Sequence, residues 1–191
     1  MRLGVLVSGR GSNLGAVLDA GIEVAIVISN RPMVPALEIA SVHDVPTRVL
    51  RRADFEGASA RDAAIGCALT DAGVTLCLLA GYDQLLRPSY FEAYRGRTIN
   101  IHPSLLPRHG GRGMMGLAVH QSVLEAGDRE TGVTIHEVTA DLDAGPILAQ
   151  SRVPVLPGDD ADSLAARVLA EEHRLLVATL RGAIAAGESE D

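Results

Sequence analysis

Hydrophobic residues in the first hundred positions fall in short, β-branched runs separated by longer segments of helical spacing. Leu3–Val7, Val24–Ile28, Thr47–Leu50 and Val74–Ala80 read as strands, with Ser12–Ala20, Pro35–His43 and Ser59–Ala72 as the helices between them. This βαβα rhythm predicts a parallel sheet with right-handed crossovers and helices on both faces. A short helix, Pro88–Tyr94, leads into a fifth strand, Arg97–His102, and the proline- and glycine-rich stretch 103–116 reads as a long loop. Met115–Ala126 is helical in pattern, and Thr131–Val138 and Pro146–Val155 are two further strands. Asp159–Asp162 caps a final amphipathic helix running to about Ala186, ahead of an acidic tail, Glu188–Asp191. With no repeat, linker or low-complexity block, the expectation is a single α/β domain over 1–191, built on a mostly parallel, doubly wound sheet.

Composition sharpens that picture by exclusion. All 17 basic residues are arginine, so Schiff-base chemistry and a P-loop lysine are both ruled out. Any bound anion must be held by arginine, hydroxyls, amides or backbone N–H groups. A net charge of −7 argues against nucleic-acid binding through a broad basic surface. The longest apolar runs, Val24–Ile28 and Leu76–Ala80, fall far short of the ~20 residues of a membrane helix. Leu3–Val7 reads as a strand, too short for a signal peptide, so a cytoplasmic protein without membrane association is expected. Cys67 and Cys77 read as reduced packing residues.

Three segments carry candidate chemistry. Ser8-Gly9-Arg10-Gly11-Ser12-Asn13 joins the first strand to the first helix, at the sheet edge where α/β proteins bind ligands. Its glycines permit close backbone approach, and the helix start offers free N–H groups to an anion. A plain turn with Ser12 as N-cap is the competing reading. A dinucleotide is disfavoured, because Leu14 follows Asn13 where a third glycine is needed and Ser29-Asn30-Arg31 ends strand two without an acid. The second segment is Asn100-Ile101-His102, whose period-two spacing puts an amide and an imidazole on one face of the fifth strand. Such a pair suits acyl transfer, which charges a carbonyl oxygen and moves a proton off an amine; a satisfied strand-end polar pair fits equally well. The third is Asp141-Leu142-Asp143-Ala144-Gly145-Pro146, where either carboxylate could hold the imidazole, or the residues could simply make a turn.

Taken together these segments resemble a known family. Asn100-Ile101-His102-Pro103-Ser104-Leu105-Leu106-Pro107 is similar to the signature of folate-dependent formyltransferases, as are Thr131-Gly132-Val133-Thr134-Ile135-His136 and Asp143-Ala144-Gly145-Pro146-Ile147. The Ser8–Leu14 loop and Glu171-Glu172-His173 narrow the resemblance to the glycinamide ribonucleotide formyltransferases of purine synthesis, over nearly the whole chain. The resemblance implies a Rossmann-like formyltransferase fold, with 10-formyltetrahydrofolate as donor co-substrate and the amine of glycinamide ribonucleotide as acceptor. It implies catalytic roles for Asn100, His102 and Asp143, phosphate binding by Gly11, Ser12 and Asn13, and a ribose contact from Glu172. For the folate it implies Leu86 and the 140–144 loop, with Ala140, Asp141 and Ala144, and places Arg61 near the folate tail. The chain departs from the family pattern at Asp83-Gln84, where an apolar residue and an arginine are usual, at Glu137, and in a short first crossover, Ser12–Val24. Another arginine must then meet the folate tail, Arg61 first, with Arg87 and Arg112 as alternatives.

Competing readings are a related folate-dependent formyltransferase, a formyltetrahydrofolate hydrolase, or a nucleotide-binding module without catalysis. No metal is expected, since His102, His109, His120 and His136 lack the compact spacing of common zinc sites. Small-molecule substrates, no nucleic acid, and a monomer or weak homodimer complete the expectation.

Overall fold

Strand β1 (Leu3–Val7) is buried at all five residues, so both of its faces are covered. In the computed structural model, which describes the chain through Glu188, β1 pairs in parallel with β2 (Val24–Ser29) on one side and β4 (Leu76–Leu79) on the other. Ser189–Asp191, most of the acidic tail expected from the sequence, lie outside the described residues. β3 (Thr47–Val49) adds in parallel to β2. The crossovers are α1 (Ser12–Asp19), α2 (Pro35–Val42) and α3 (Ala58–Asp71). After β4 come α4 (Pro88–Ala93), β5 (Arg97–His102), α5 (Leu117–Glu125), β6 (Glu130–Glu137), β7 (Ile147–Pro154) and α6 (Ala161–Glu188). The sheet order is β3-β2-β1-β4-β5-β6-β7, with β6 and β7 antiparallel. This is the mostly parallel α/β sheet the hydrophobic rhythm predicts.

The chain divides into two compact units, Met1–Ile99 with the end of α6 from Ala183, and Asn100–Gly182. In the first, sequence order reverses between β1 and β4, which makes their carboxyl ends a topological switch point. In the second, Gly145 is tied to the end of β6. A Cβ there would overlap the Glu137 carbonyl oxygen, and the Glu137 N–H donates to the Pro146 carbonyl at 2.9 Å. That closure brings the 138–146 loop back onto β6. On α6 the buried positions Leu164, Val168, Leu176 and Leu180 form an i, i+4 stripe, and Glu172 is the one carboxylate within it.

Differences from the sequence reading are local. β4 is shorter than Val74–Ala80 because its ends turn into loops, and residues 52–54 form a short 3₁₀ turn that hydrophobic periodicity does not register. α5 starts at Leu117, after Gly116 in a conformation with φ 59° that ends the loop. Cys67 is exposed on α3, not packed, whereas Cys77 is buried in β4 and burial pushes its thiol up to about 12. Among the described residues no helix is long and apolar enough to cross a membrane.

Candidate active site

In the first unit, the Ser8–Asn13 loop leaves β1 at the switch point. Gly11 caps α1 in the left-handed region, φ 77°, and a Cβ on it would lie 2.7 Å from Ala36 Cα. Only glycine fits that approach. No side chain caps α1, and the N-cap is Gly11, not Ser12 as the competing plain-turn reading had it. The first N–H groups of α1 therefore have no capping side chain, and no acidic residue occupies its first turn. Asn13 is buried, and its Oδ1 has no partner. Gly11, Ser12 and Asn13 lie in sequence at this uncapped helix start.

Asp83, the departure noted in the sequence, organises the neighbouring strand ends. Its carboxylate accepts from Ser8 Oγ at 3.0 Å, Asn30 Nδ2 at 2.7 Å and Gln84 Nε2 at 3.1 Å, and pairs with Arg31. Burial raises its pKa, but the bonds from Gln84, Asn30 and Ser8 with the Arg31 charge more than offset this, leaving it below the usual carboxylate value. Arg61 is 1% exposed. Its Nε and Nη2 donate to Asp62 Oδ1 at 2.9 and 2.6 Å, and Nη1 faces Gln84 Oε1 at 3.4 Å. Asp62 Oδ2 in turn accepts the Arg87 N–H at 3.0 Å. Arg61 is thus an interior group, paired with Asp62 and reaching through Nη1 to the glutamine that stands in the departure. Leu86, on the same loop, is buried.

In the second unit, β5, β6 and the 138–146 loop bring Asn100, His102 and Asp143 together. The loop after β5 is fixed by the buried Thr134 of β6, whose hydroxyl donates to the Ser104 carbonyl at 2.7 Å and accepts the Leu106 N–H at 3.0 Å. His102 is 5% exposed. Its Nε2 lies 2.9 Å from the His109 carbonyl, which can only accept, so Nε2 carries a proton. Nδ1 then faces Asp143 Oδ2 at 4.0 Å, an ion-pair distance. Asp143 is held at φ 52°, and its Oδ2 accepts the Gly111 N–H at 2.8 Å.

His136 completes the cluster, and the sequence reading gave it no role beyond a motif position. Its Nδ1 lies 2.9 Å from the Glu137 carbonyl and must donate there, so the neutral ring presents a lone pair at Nε2. Asn100 Nδ2 donates to that lone pair at 3.0 Å. Burial lowers the His136 pKa, against the Glu137 carbonyl and Asp143, so the ring stays neutral. The bond orients the Asn100 amide and leaves its second N–H free. The signal available in the sequence was a histidine inside an otherwise apolar strand. His120, buried nearby on α5, is also pushed toward its neutral form, by burial and then by His102.

The arrangement offers an amide N–H, an imidazole Nδ1 and a carboxylate, which suits stabilising an oxyanion while a proton moves. Glu172 is buried on α6 of this unit, while Ala140, Asp141 and Ala144 are exposed on the loop that carries Asp143. Among the described residues no group of three or more His, Cys, Asp or Glu side chains is placed to hold a metal ion.

Comparison with known proteins places this geometry among relatives. The formyl transferase family model matches residues 1–180. The Escherichia coli phosphoribosylglycinamide formyltransferase is 38% identical over 181 residues, covering 92% of this chain and 83% of that protein. The Drosophila melanogaster trifunctional purine biosynthetic protein adenosine-3 is 42% identical over 180 residues, 90% of this chain. The chain spans only 13% of that protein and 19% of its cattle counterpart. Among solved structures, glycinamide ribonucleotide transformylase 1 from Symbiobacterium toebii superposes with a TM-score of 0.88 at 42% identity, covering 95% of this chain and 86% of that one.

Proposed function

The chain belongs to the formyl transferase family, and from that premise we propose that it transfers a formyl group from 10-formyltetrahydrofolate to the amine of glycinamide ribonucleotide. The observation that carries the reading is the convergence of Asn100, His102 and Asp143 on one buried cluster, with the Asn100 amide aimed by neutral His136.

The amine nitrogen attacks the formyl carbon, and the carbonyl electron pair moves onto oxygen. The second Asn100 N–H and protonated His102 Nδ1 stabilise that oxyanion. Asp143 Oδ2 faces that nitrogen at 4.0 Å. The carbonyl then re-forms, the bond from carbon to the folate N10 breaks, and the proton lost by the amine is delivered to N10, with Asp143 and a water as the relay. Gly11, Ser12 and Asn13 hold the substrate phosphate, a reading supported by the uncapped start of α1 without an acidic residue in its first turn. Glu172, the carboxylate of the apolar α6 stripe, takes the ribose hydroxyls. Leu86, and on their own loop Ala140, Asp141 and Ala144, are assigned to the pterin side of the donor, and Arg61 with Gln84 to its carboxylate tail.

The test is product identity. Mass spectrometry of wild type with both substrates is expected to find N-formylated glycinamide ribonucleotide, with Asp143→Asn slowing its appearance. Product formed equally fast by Asp143→Asn would remove the carboxylate from the mechanism.

A further inference from the structure

Residues 108–111 supply both groups that orient the catalytic pair, and the side chain in their midst is tied down by residues without a part in the chemistry above. His109 stands at φ 52°, a left-handed conformation that few residues other than glycine adopt, although histidine, like asparagine and aspartate, is enriched among them. In that pose its carbonyl accepts from His102 Nε2 at 2.9 Å, and two residues on the Gly111 N–H donates to Asp143 Oδ2 at 2.8 Å. Ser104 Oγ fastens the same turn by donating to the Arg108 carbonyl at 2.7 Å. Strained backbone of this kind persists only where its surroundings over-determine it.

The surroundings here are contacts of the His109 ring. Nε2 donates to Asp128 Oδ2 at 2.9 Å, and Nδ1 meets Ser122 Oγ at 2.8 Å. The other Asp128 oxygen accepts from Arg108 at 2.7 Å. The His109 and Asp128 side chains are 11% and 14% exposed, so water competes little for these bonds. Ser, His and Asp also form nucleophilic triads. Ser122, however, lies within α5, where the surrounding N–H groups are spent on helix carbonyls and leave no oxyanion hole.

We propose that His109 is a positioning residue for formyl transfer: clamped between Ser122 and Asp128, it fixes the 108–111 turn, which sets the His102 tautomer and the Asp143 carboxylate. The inference rests on the transferase reading and adds a residue to the same site. The physical step is simple. A carbonyl held against Nε2 forces the proton onto that nitrogen and keeps Nδ1 toward Asp143. With the carbonyl released, the other neutral tautomer becomes available and the ring is free to turn.

His109→Gly keeps the left-handed turn accessible while deleting the clamp, and Asp128→Ala deletes its anionic anchor. Asp128→Asn retains an acceptor oxygen for the ring, and Ser122→Ala carries the test if a larger change unfolds the chain, as judged by thermal melting. The ¹⁵N shifts of His102 are read beside kcat and both KM values. Wild type is expected to hold neutral His102 in the Nε2–H form. His109→Gly and Asp128→Ala are expected to mix tautomers and lose about 10- to 100-fold in kcat with KM nearly unchanged, as loss of an orienting partner does. Asp128→Asn should recover most of that loss. Unchanged kcat in His109→Gly, a fall in kcat with the His102 tautomer intact, or an effect confined to KM would each overturn the proposal. If wild type transfers no formyl group, the functional reading fails by itself, and the His102 spectra still decide the clamp.

Discussion

Asn100 can present a free N–H because His136 is neutral and takes the other. The pair therefore acts as one oriented donor, and Asn100→Ala should cost about 10²–10³ in kcat with little change in either KM. Steady-state kinetics with each substrate varied will measure it; a variant within twofold of wild type would leave the amide without a catalytic part. At this scale the sequence showed the groups proposed to react and hid their supports. Asn100, His102 and Asp143 are legible as side-chain types at fixed spacing. The carbonyl of His109 and the N–H of Gly111 are backbone groups, whose direction depends on dihedrals that no residue name encodes. Arg61 was legible as a cation, but its burial against Asp62 was not, because the partner is its immediate neighbour on the same helix.

Elements decide how those groups are delivered. α6 buries Glu172 in a stripe otherwise made of leucine and valine. Glu172→Gln keeps the size and hydrogen-bonding capacity of the side chain and removes only its charge, so the melting temperature should stay close to wild type while the KM for glycinamide ribonucleotide rises. Equal KM values would break the ribose assignment. The α1 start makes the opposite case. Gly11→Ala forces a left-handed alanine, costing about 1–2 kcal/mol before the contact with Ala36 is counted. A lowered melting temperature together with weakened phosphate binding is expected from calorimetry, and an unperturbed melt would contradict the close approach at Gly11. Strand and helix positions followed the hydrophobic rhythm closely, β1 and β5 to the residue. Their ends and caps followed backbone constraints instead, which is why the N-cap fell to Gly11 and not to Ser12.

For the molecule as a whole, burial lowers the pKa of His120, His136 and His173 from the ordinary 6.5. The unfolded chain therefore binds more protons than the folded one just below that value. The stability these groups contribute is complete above pH 6.5 and is lost as the pH falls toward their folded values. Urea unfolding should show a lower midpoint at pH 5.5 than at pH 7.5; an equal or higher midpoint would mean that the histidines are not buried neutral. The parallel half of the sheet was legible because each strand is an isolated apolar run. The antiparallel β6–β7 pair was legible only as two strands, since relative direction is fixed by the tight closure at Gly145. In a chain whose 17 basic residues are all arginine, the proposed chemistry needs no lysine, and formyl transfer by an amide, an imidazole and a carboxylate is the central claim. The most direct measurement is folate absorbance on mixing the purified chain with 10-formyltetrahydrofolate, with and without glycinamide ribonucleotide. Release of deformylated folate only when the amine is present, one equivalent per amine formylated, is the expected result. Release without the amine, or none with it, would contradict the account.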